Sequence, residues 1–425
     1  MIDIRLIREN PDAVIEKLKL RNEDAKIISE IQQVDSERLS LIKETERLKE
    51  IRNKASQEIG ILKAKKENAD AKIAEMKKVS DEISALDNKL MQTENKLQEM
   101  LYYIPALPAD DVPYGKSSDD NVQVKIWGEK KTFDFEIKDH LQLSKKFDIL
   151  DFERGTKITG SGFPLYKGMG ATLERALINF MLDTHISKGY KEVFPPIIVN
   201  RASMEAAEKV PKFEFDMYHF NEDDLFAIPT AEVPVINIHR DEILKSEDLP
   251  MRYCAYTPCF RREAGSYGKD TKGFLRVHQF NKVELINFCV PETSYSELQK
   301  MLNDACAILE ALNIHYRVIE LCTGDMGFSA SKCYDIEVWS YAEQKWLEAS
   351  SVSNCTDFQA RRGKIRYRKA VEGGKSKTEF VHILNGSGLA TSRLMVALLE
   401  SYQTKEGTII VPEVLRKYTG FDEIK

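Results

Sequence analysis

The chain has 425 residues, enough for two domains and a large core. Its formal net charge of −6 excludes a global basic field, so any nucleic acid must be held by a local patch. Seven cysteines, all between Cys254 and Cys355 and without a C-x-x-C pair, argue for buried free thiols in a reducing compartment and against a disulfide framework or a zinc site. The start Met1-Ile2-Asp3-Ile4-Arg5 carries no apolar targeting segment and no apolar run reaches membrane-spanning length, so a soluble, cytoplasmic protein is expected.

From Ile27 to Leu62, apolar residues recur in alternating steps of four and three: Ile27, Ile31, Val34, Leu41, Leu48, Ala55, Ile59, Leu62. A second series runs through Met76, Val79, Ile83, Leu86, Leu90, Leu97, Met100 and Ile104. Two heptad seams separated by a polar stretch at 67–70 predict an antiparallel coiled-coil hairpin over residues 1–105, an arm too thin to hold an active site. Around its tip lysines and arginines, among them Lys54, Lys63, Lys65, Lys66, Lys72 and Lys77, outnumber nearby acids. Such a density can neutralise phosphates, and it is equally the solvated face of an ordinary coiled coil. Pro105, Pro108 and Pro113 then end the helix and open a second domain, 106–425.

In that domain, Val122 to Trp127 and Phe133 to Ile137 read as strands. A helix is predicted over 171–188, with Leu173, Ala176, Leu177, Phe180, Met181 and His185 on one face and Gly189 as its stop. The strand Tyr190 to Val199 carries Pro195 and Pro196, which confines it to a sheet edge. In Ile228-Pro229-Thr230-Ala231-Glu232, an extended backbone would put Thr230 and Glu232 on one face to hold an ammonium group, and Thr230 also reads as the start of a helix over 233–243.

The most informative stretch runs from Cys259 to Glu284. Two extended runs flank a loop with Gly265, Gly268 and Gly273, predicting a long β-hairpin. Period-two alternation would place Arg276, His278, Phe280, Lys282 and Glu284 on one face, with Arg261 and Glu263 on the partner strand. A charged face carrying one ring suits a nucleotide, with Phe280 against a base and Arg261 fixing a phosphate or carboxylate. Further on come a strand ending at Trp339 and a serine-rich stretch in which Glu348 and Ser351 offer hard oxygen ligands. The last signal is a strand at 380–384, a glycine turn through Gly386 and Gly388, and an apolar helix with Arg393 in its first turn, where backbone amides favour anions.

The run Phe-Arg-x-Glu, loop, Arg-x-x-x-Phe closely resembles motif 2 of the class II aminoacyl-tRNA synthetases. The helix and proline strand before it resemble motif 1, and the segment ending in Arg393 resembles motif 3. Pro-Thr-Ala-Glu, Val-His-Gln-Phe-Asn-Lys-Val-Glu, Ser-Asn-Cys-Thr-Asp-Phe-Gln-Ala-Arg-Arg and Leu-Asn-Gly-Ser-Gly-Leu-Ala, together with the arm, are similar to the bacterial-type seryl-tRNA synthetases over essentially the whole chain.

That resemblance implies an α+β catalytic domain, an antiparallel sheet flanked by helices, in a homodimer. It implies activation of L-serine with ATP and Mg²⁺ to seryl-adenylate. The seryl group then passes to the 3′ end of tRNA(Ser), and to tRNA(Sec) where selenocysteine is made. The arm would grip the tRNA. Carried onto this chain, Arg261 and Arg393 are catalytic. Arg261, Arg262, Glu263, Val277 and Phe280 meet ATP, as do Glu348, Ala349, Ser350, Ser351 and Arg393, with the metal at Glu348 and Ser351. Thr230, Ala231, Glu232, Glu284 and Ser387 take the serine. The chain departs from the family at Ala206-Ala207-Glu208-Lys209-Val210, where many members carry Gly-Thr-Gly-Gln-Leu. A catalytically idle relative that binds RNA or a partner would be expected to have lost Arg261, Glu284 or Arg393; all three are present. A relative that charges a carrier protein would usually lack the arm.

Overall fold

A computed structural model describes residues 1–263, 273–369 and 377–425. Gly265 and Gly268 of the predicted hairpin loop lie outside the described residues. The chain divides into two compact units, one of Ile2–Lys19 and Glu23–Ile104, the other of Pro105–Lys425 with Met1 and Leu20–Asn22.

The first unit is built on the helices Ile27–Ala64 and Asp70–Tyr102, about 57 and 50 Å long at 1.5 Å per residue. The seam forms as the spacing predicts: Ile31, Val34, Leu41, Leu48 and Ala55 on one helix, and Met76, Ile83 and Leu97 on the other, are buried. Lys49 pairs with Asp87 at 3.0 Å, Arg38 with Glu94 at 3.0 Å and Lys89 with Glu37 at 2.9 Å. Early residues thus meet late ones, as an antiparallel hairpin requires. These exposed pairs contribute little energy and mainly fix register. Two short helices, Ile4–Glu9 and Pro11–Leu20, bury Ile7, Val14 and Leu18, and Arg8 forks onto Asp35 at 2.8 and 3.1 Å.

The second unit is organised by one eight-stranded sheet. In chain order its strands are β1 (Val122–Trp127), β2 (Lys191–Glu192), β3 (Met251–Phe260), β4 (Gln279–Cys289), β5 (Tyr316–Glu320), β6 (Lys332–Ser340), β7 (Lys345–Asn354) and β8 (His382–Ala390). Their spatial order is β1-β5-β6-β7-β8-β4-β3-β2, antiparallel throughout except for β2 beside β3. The helices Gly168–Ser187, Ser294–Ala311 and Thr391–Ser401 bring Leu177, Leu309 and Leu398 into the core against Leu285 and Ile336 of the sheet. All seven cysteines are buried and free, and burial pushes the Cys254 and Cys289 thiols up to about 12. Among the described residues, no helix is long and apolar enough to cross a membrane.

The fold corrects five expectations. Phe133 to Ile137 form no strand; Phe133 instead packs edge-on to Tyr341 at 5.2 Å. The proline-bearing strand is broken at its prolines, so Lys191–Glu192 edges the large sheet while Ile198–Asn200 joins a separate three-stranded one. The helix after Thr230 is only Glu232–Ile236, followed by a single 3-10 turn. The hairpin strands end at Phe260 and begin at Gln279, with a 3-10 turn at Gly273–Leu275 where a strand was predicted. Gly386 and Gly388 lie inside β8 and make no turn. They serve close packing: a Cβ at Gly388 would come within 2.5 Å of His185 Nε2, and one at Gly386 within 3.0 Å of Val352.

Candidate active site

Strands β3, β4, β7 and β8 form the floor of two adjoining cavities of about 240 and 390 Å³. Arg261, Glu263, Lys282, Glu348 and Ser387 line both. Arg261 leaves the end of β3, and its position is fixed from two sides. Its Nε donates to the Pro229 carbonyl at 3.4 Å, and its guanidinium lies 5.2 Å from the centre of the Phe280 ring. Such cation–π contact holds the planar fork flat.

The smaller cavity collects cations and a ring. Beside Arg261 and Phe280 stand Arg276, Lys282 and Arg393. These three rest on internal acids: Arg393 on the Glu348 carbonyl at 2.6 Å and its carboxylate at 3.3 Å, Arg276 on Glu263 at 3.3 Å, Lys282 on Glu284 at 2.5 Å. A polyanion can take over such contacts because the guanidinium donors are already oriented. The larger cavity carries hydroxyls and carboxylates. Thr230 Oγ1 donates to Glu284 Oε2 at 2.8 Å. Glu232 accepts from Gln359 Nε2 at 2.6 Å and Asn385 Nδ2 at 3.2 Å, with Lys209 Nζ 3.1 Å away.

Two β-bulges create these groupings. In β8, Leu389 pairs with Val283 but Ser387 pairs with Glu284, so Gly388 is the extra residue. Ser387 thereby stands directly opposite Glu284. In β7, Glu348 pairs with Glu337 and Ser350 with Ile336, which makes Ala349 the extra residue. Regular alternation would send Glu348 and Ser351, three apart, to opposite faces; the bulge returns them to one face. His185 holds the first bulge. Burial lowers its pKa to about 4, so the neutral ring donates Nε2–H to the Gly388 carbonyl at 2.9 Å.

Behind the site, Glu174 of the helix Gly168–Ser187 ties three segments together. Its Oε1 accepts from Asn281 Nδ2 of β4 at 2.8 Å and from Thr391 Oγ1 at 2.5 Å. Burial raises this carboxyl to about 7, with the two donors opposing the shift.

Of the site residues predicted from sequence, Val277, Phe280, Ala349, Ser350 and Arg393 line the smaller cavity. Thr230, Glu232, Glu284 and Ser351 line the larger, and Arg261, Glu263, Glu348 and Ser387 line both. Two lie elsewhere. Ala231 is fully buried in an apolar cluster with Val235 and Ile286. Arg262 is exposed, and its amide donates to the Asp216 carbonyl at 3.1 Å. His278 leaves the predicted ligand face as well. The backbone is not extended there, and its Nδ1–H donates to the Arg261 carbonyl at 2.9 Å while the ring meets Phe163 at 5.5 Å.

Sequence reasoning missed Lys209 and Asn385, which line the larger cavity, and Gln359, which bonds Glu232 from behind. No spacing rule joins residues so far apart in the chain. The one signal was the departure at Glu208-Lys209, two charges where the resemblance led us to expect a glycine and a glutamine. Among the described residues no group of three or more His, Cys, Asp or Glu side chains is placed to hold a metal.

Comparison with known proteins bears on the whole chain. A family model for the seryl-tRNA synthetase N-terminal domain matches residues 1–108, and one for the tRNA synthetase class II core domain (G, H, P, S and T) matches residues 212–402. The chain is 57% identical over 429 residues to the serine–tRNA ligase of Chloroherpeton thalassium and 55% identical over 430 residues to that of Chlorobaculum parvum, covering 100% of both chains in each case. Its fold is similar to that of seryl-tRNA synthetase from Pyrococcus horikoshii complexed with ATP, with a TM-score of 0.91 at 40% identity, over 100% of this chain and 99% of that one.

Proposed function

The chain belongs to the seryl-tRNA synthetase family, and on that premise we propose how its two cavities divide the work. It is a class II serine–tRNA ligase: it joins serine to ATP as seryl-adenylate and passes the seryl group to tRNA(Ser). ATP takes the smaller cavity, with adenine on Phe280, the α-phosphate at Arg261 and the terminal phosphates at Arg393. Serine takes the larger, with its ammonium at Thr230 and Glu232 and its hydroxyl between Glu284 and Ser387. The observation that carries this assignment is Arg261, which lines both cavities where carboxylate and α-phosphate must meet.

The chemistry follows from that placement. A serine carboxylate oxygen attacks the α-phosphorus and pyrophosphate leaves in line. The nucleophile belongs to the substrate, so the protein has to align the two and neutralise charge; arginines serve, and no Ser-His-Asp arrangement is needed. Glu348 and Ser351, on one face through the β7 bulge, suit Mg²⁺, which keeps most of its shell as water and phosphate. Bound there it would offset phosphate charge. Alanine leaves Glu284 and Ser387 without the hydroxyl they are set to bond, which costs up to roughly 10⁴- to 10⁵-fold in selectivity.

The enzyme works as a cytoplasmic homodimer. In support, Phe194, Ile198 and Ile238 are 82%, 48% and 41% exposed around one cavity of the catalytic unit, an apolar surface for a second copy to cover. The arm binds the tRNA, with tRNA(Sec) as a second substrate where it is made; exposed Lys63, Lys65 and Lys66 at its tip support phosphate contact. The test is serine-dependent exchange of pyrophosphate into ATP without tRNA, comparing serine, alanine, threonine and cysteine. Exchange with serine far above the others is expected. Exchange with none of the four would overturn the assignment.

A further inference from the structure

Lys209 is a largely buried cation in the larger cavity, its side chain 19% exposed, and it stands between two carboxylates. Its Nζ lies 2.9 Å from Glu208 Oε1 and 3.1 Å from Glu232 Oε2. Gln359 Nε2 spans the same two acids, donating to Glu208 Oε2 at 2.9 Å and to Glu232 Oε1 at 2.6 Å. Glu208 is 2% exposed and its backbone has φ of 52°, a left-handed value that favours glycine. A glutamate held there has to be stabilised by what its side chain does. Burial pushes its carboxyl up against the opposing pull of Lys209, and the two carboxylates hold the Lys209 ammonium above its ordinary range despite burial. Arg362 adds a weaker field at Glu208 and directs its Nη1 to the Glu205 carbonyl.

The cluster therefore sets two acids against the Lys209 ammonium, all largely out of water, with the Arg362 guanidinium and the buried Met1 ammonium also in the field of Glu208. Its Glu232 is the acid assigned above to the substrate ammonium, and the inference rests on that assignment. A Lys209 with Glu232 as its sole partner would compete with the substrate for that carboxylate. With Glu208 within the same hydrogen-bond radius, the lysine has a second anion and need not move to release the first.

We propose that Glu208 and Lys209 form a built-in ion pair that sets the affinity of the serine α-amino subsite. Lys209 balances Glu232 while the subsite is empty, and Glu208 retains the Lys209 ammonium when the substrate ammonium takes its place at Glu232. Glu208 and Glu232 then face two ammoniums, that of Lys209 and that of the substrate. Glu208 and Lys209 are positioning residues, and they act as a unit.

The experiment is steady-state pyrophosphate exchange, with KM for serine and for ATP measured separately on Glu208→Gln, Glu208→Gly, Glu232→Gln and the double variant Glu208→Gly/Lys209→Gln. Removing Glu208 leaves Lys209 on Glu232 alone, so KM for serine rises by about tenfold, a modest coupling for close buried charges, while KM for ATP stays within about twofold. Glycine is at ease at φ of 52°, so Glu208→Gly reports even where Glu208→Gln does not fold. In the double variant the competitor is gone as well, and KM for serine returns to within about threefold of the parent, a non-additivity that general damage would not produce. Unchanged KM for serine in both Glu208 variants, a parallel rise in KM for ATP, or a double variant as impaired as the single one would each overturn the proposal. Glu232→Gln separates the two layers: if it raises KM for serine while the Glu208 variants do not, the subsite stands and the ion-pair role falls. If Glu232→Gln also leaves KM for serine unchanged, the subsite assignment itself is wrong.

Discussion

The arm and the catalytic unit encode their folds at different ranges along the chain. In the arm one period of three and four residues, repeated over two helices, decides which side chains are buried. Leu41, Leu48, Ile83 and Leu97 are inside for the same local reason. In the catalytic unit the groups that matter come from strands far apart, and their facing depends on single extra residues at Gly388 and Ala349. The difference teaches that periodicity specifies a scaffold, whereas a site is specified where periodicity breaks.

Perturbations should separate the two regions. The largest effect is expected at Arg393→Ala, which removes a cation aimed at developing charge: exchange should fall by about 10²- to 10³-fold, with the arm's melting unaltered. A fall of less than about tenfold would move the phosphates elsewhere. Next comes Glu174→Gln. Because burial raises the folded-state carboxyl from 4.5 to about 7, the folded protein binds the extra proton between those values. That contribution to stability is full below about pH 4.5 and is lost as pH rises through 7. The amide keeps an acceptor for Asn281 and Thr391 without the charge. It should therefore stabilise the catalytic unit at pH 8 by roughly 2–3 kcal/mol and by little at pH 5, read as a pH-dependent difference in thermal midpoint. An equal shift at both pH values would deny the carboxyl its ionisation.

Smaller still, Leu97→Ala opens the arm's seam and should cost about 2 kcal/mol in the arm alone, while tRNA-independent exchange holds. Loss of exchange would join two regions that the seam keeps separate in sequence. The smallest effect is expected from Lys63→Gln with Lys65→Gln and Lys66→Gln. KM for tRNA should rise a few-fold and its salt dependence should weaken by about 0.7–0.9 in log–log slope for each phosphate left without a neutralising lysine, with KM for serine unaltered.

Much of this architecture was legible in the sequence, for reasons that differ by element. Arg261, Phe280 and Arg393 could be found because each sits in a short word whose residue types fit a nucleotide. Glu284 and Ser387 came through resemblance; nothing local says that residues a hundred apart are register partners. His278 defeats simple alternation because the chain is not extended before Gln279, so Arg276, Val277 and His278 do not alternate between two faces. The glycines of β8 suggest a turn by residue type alone, whereas Gly388 is small because His185 presses on it. Lys209 stays hidden because a lysine gives no sign in sequence of whether its ammonium faces water or two buried acids.

The bulges at Ala349 and Gly388 work as reading-frame shifts written into a sheet. Pull either strand straight with its extra residue kept, and every side chain beyond that point changes sides: Ser351 could no longer accompany Glu348, nor Ser387 oppose Glu284. Point substitution can tune this site by degrees, but a one-residue slip of the pairing at these two places would turn it inside out. Register, at those positions, is part of the active site's chemistry.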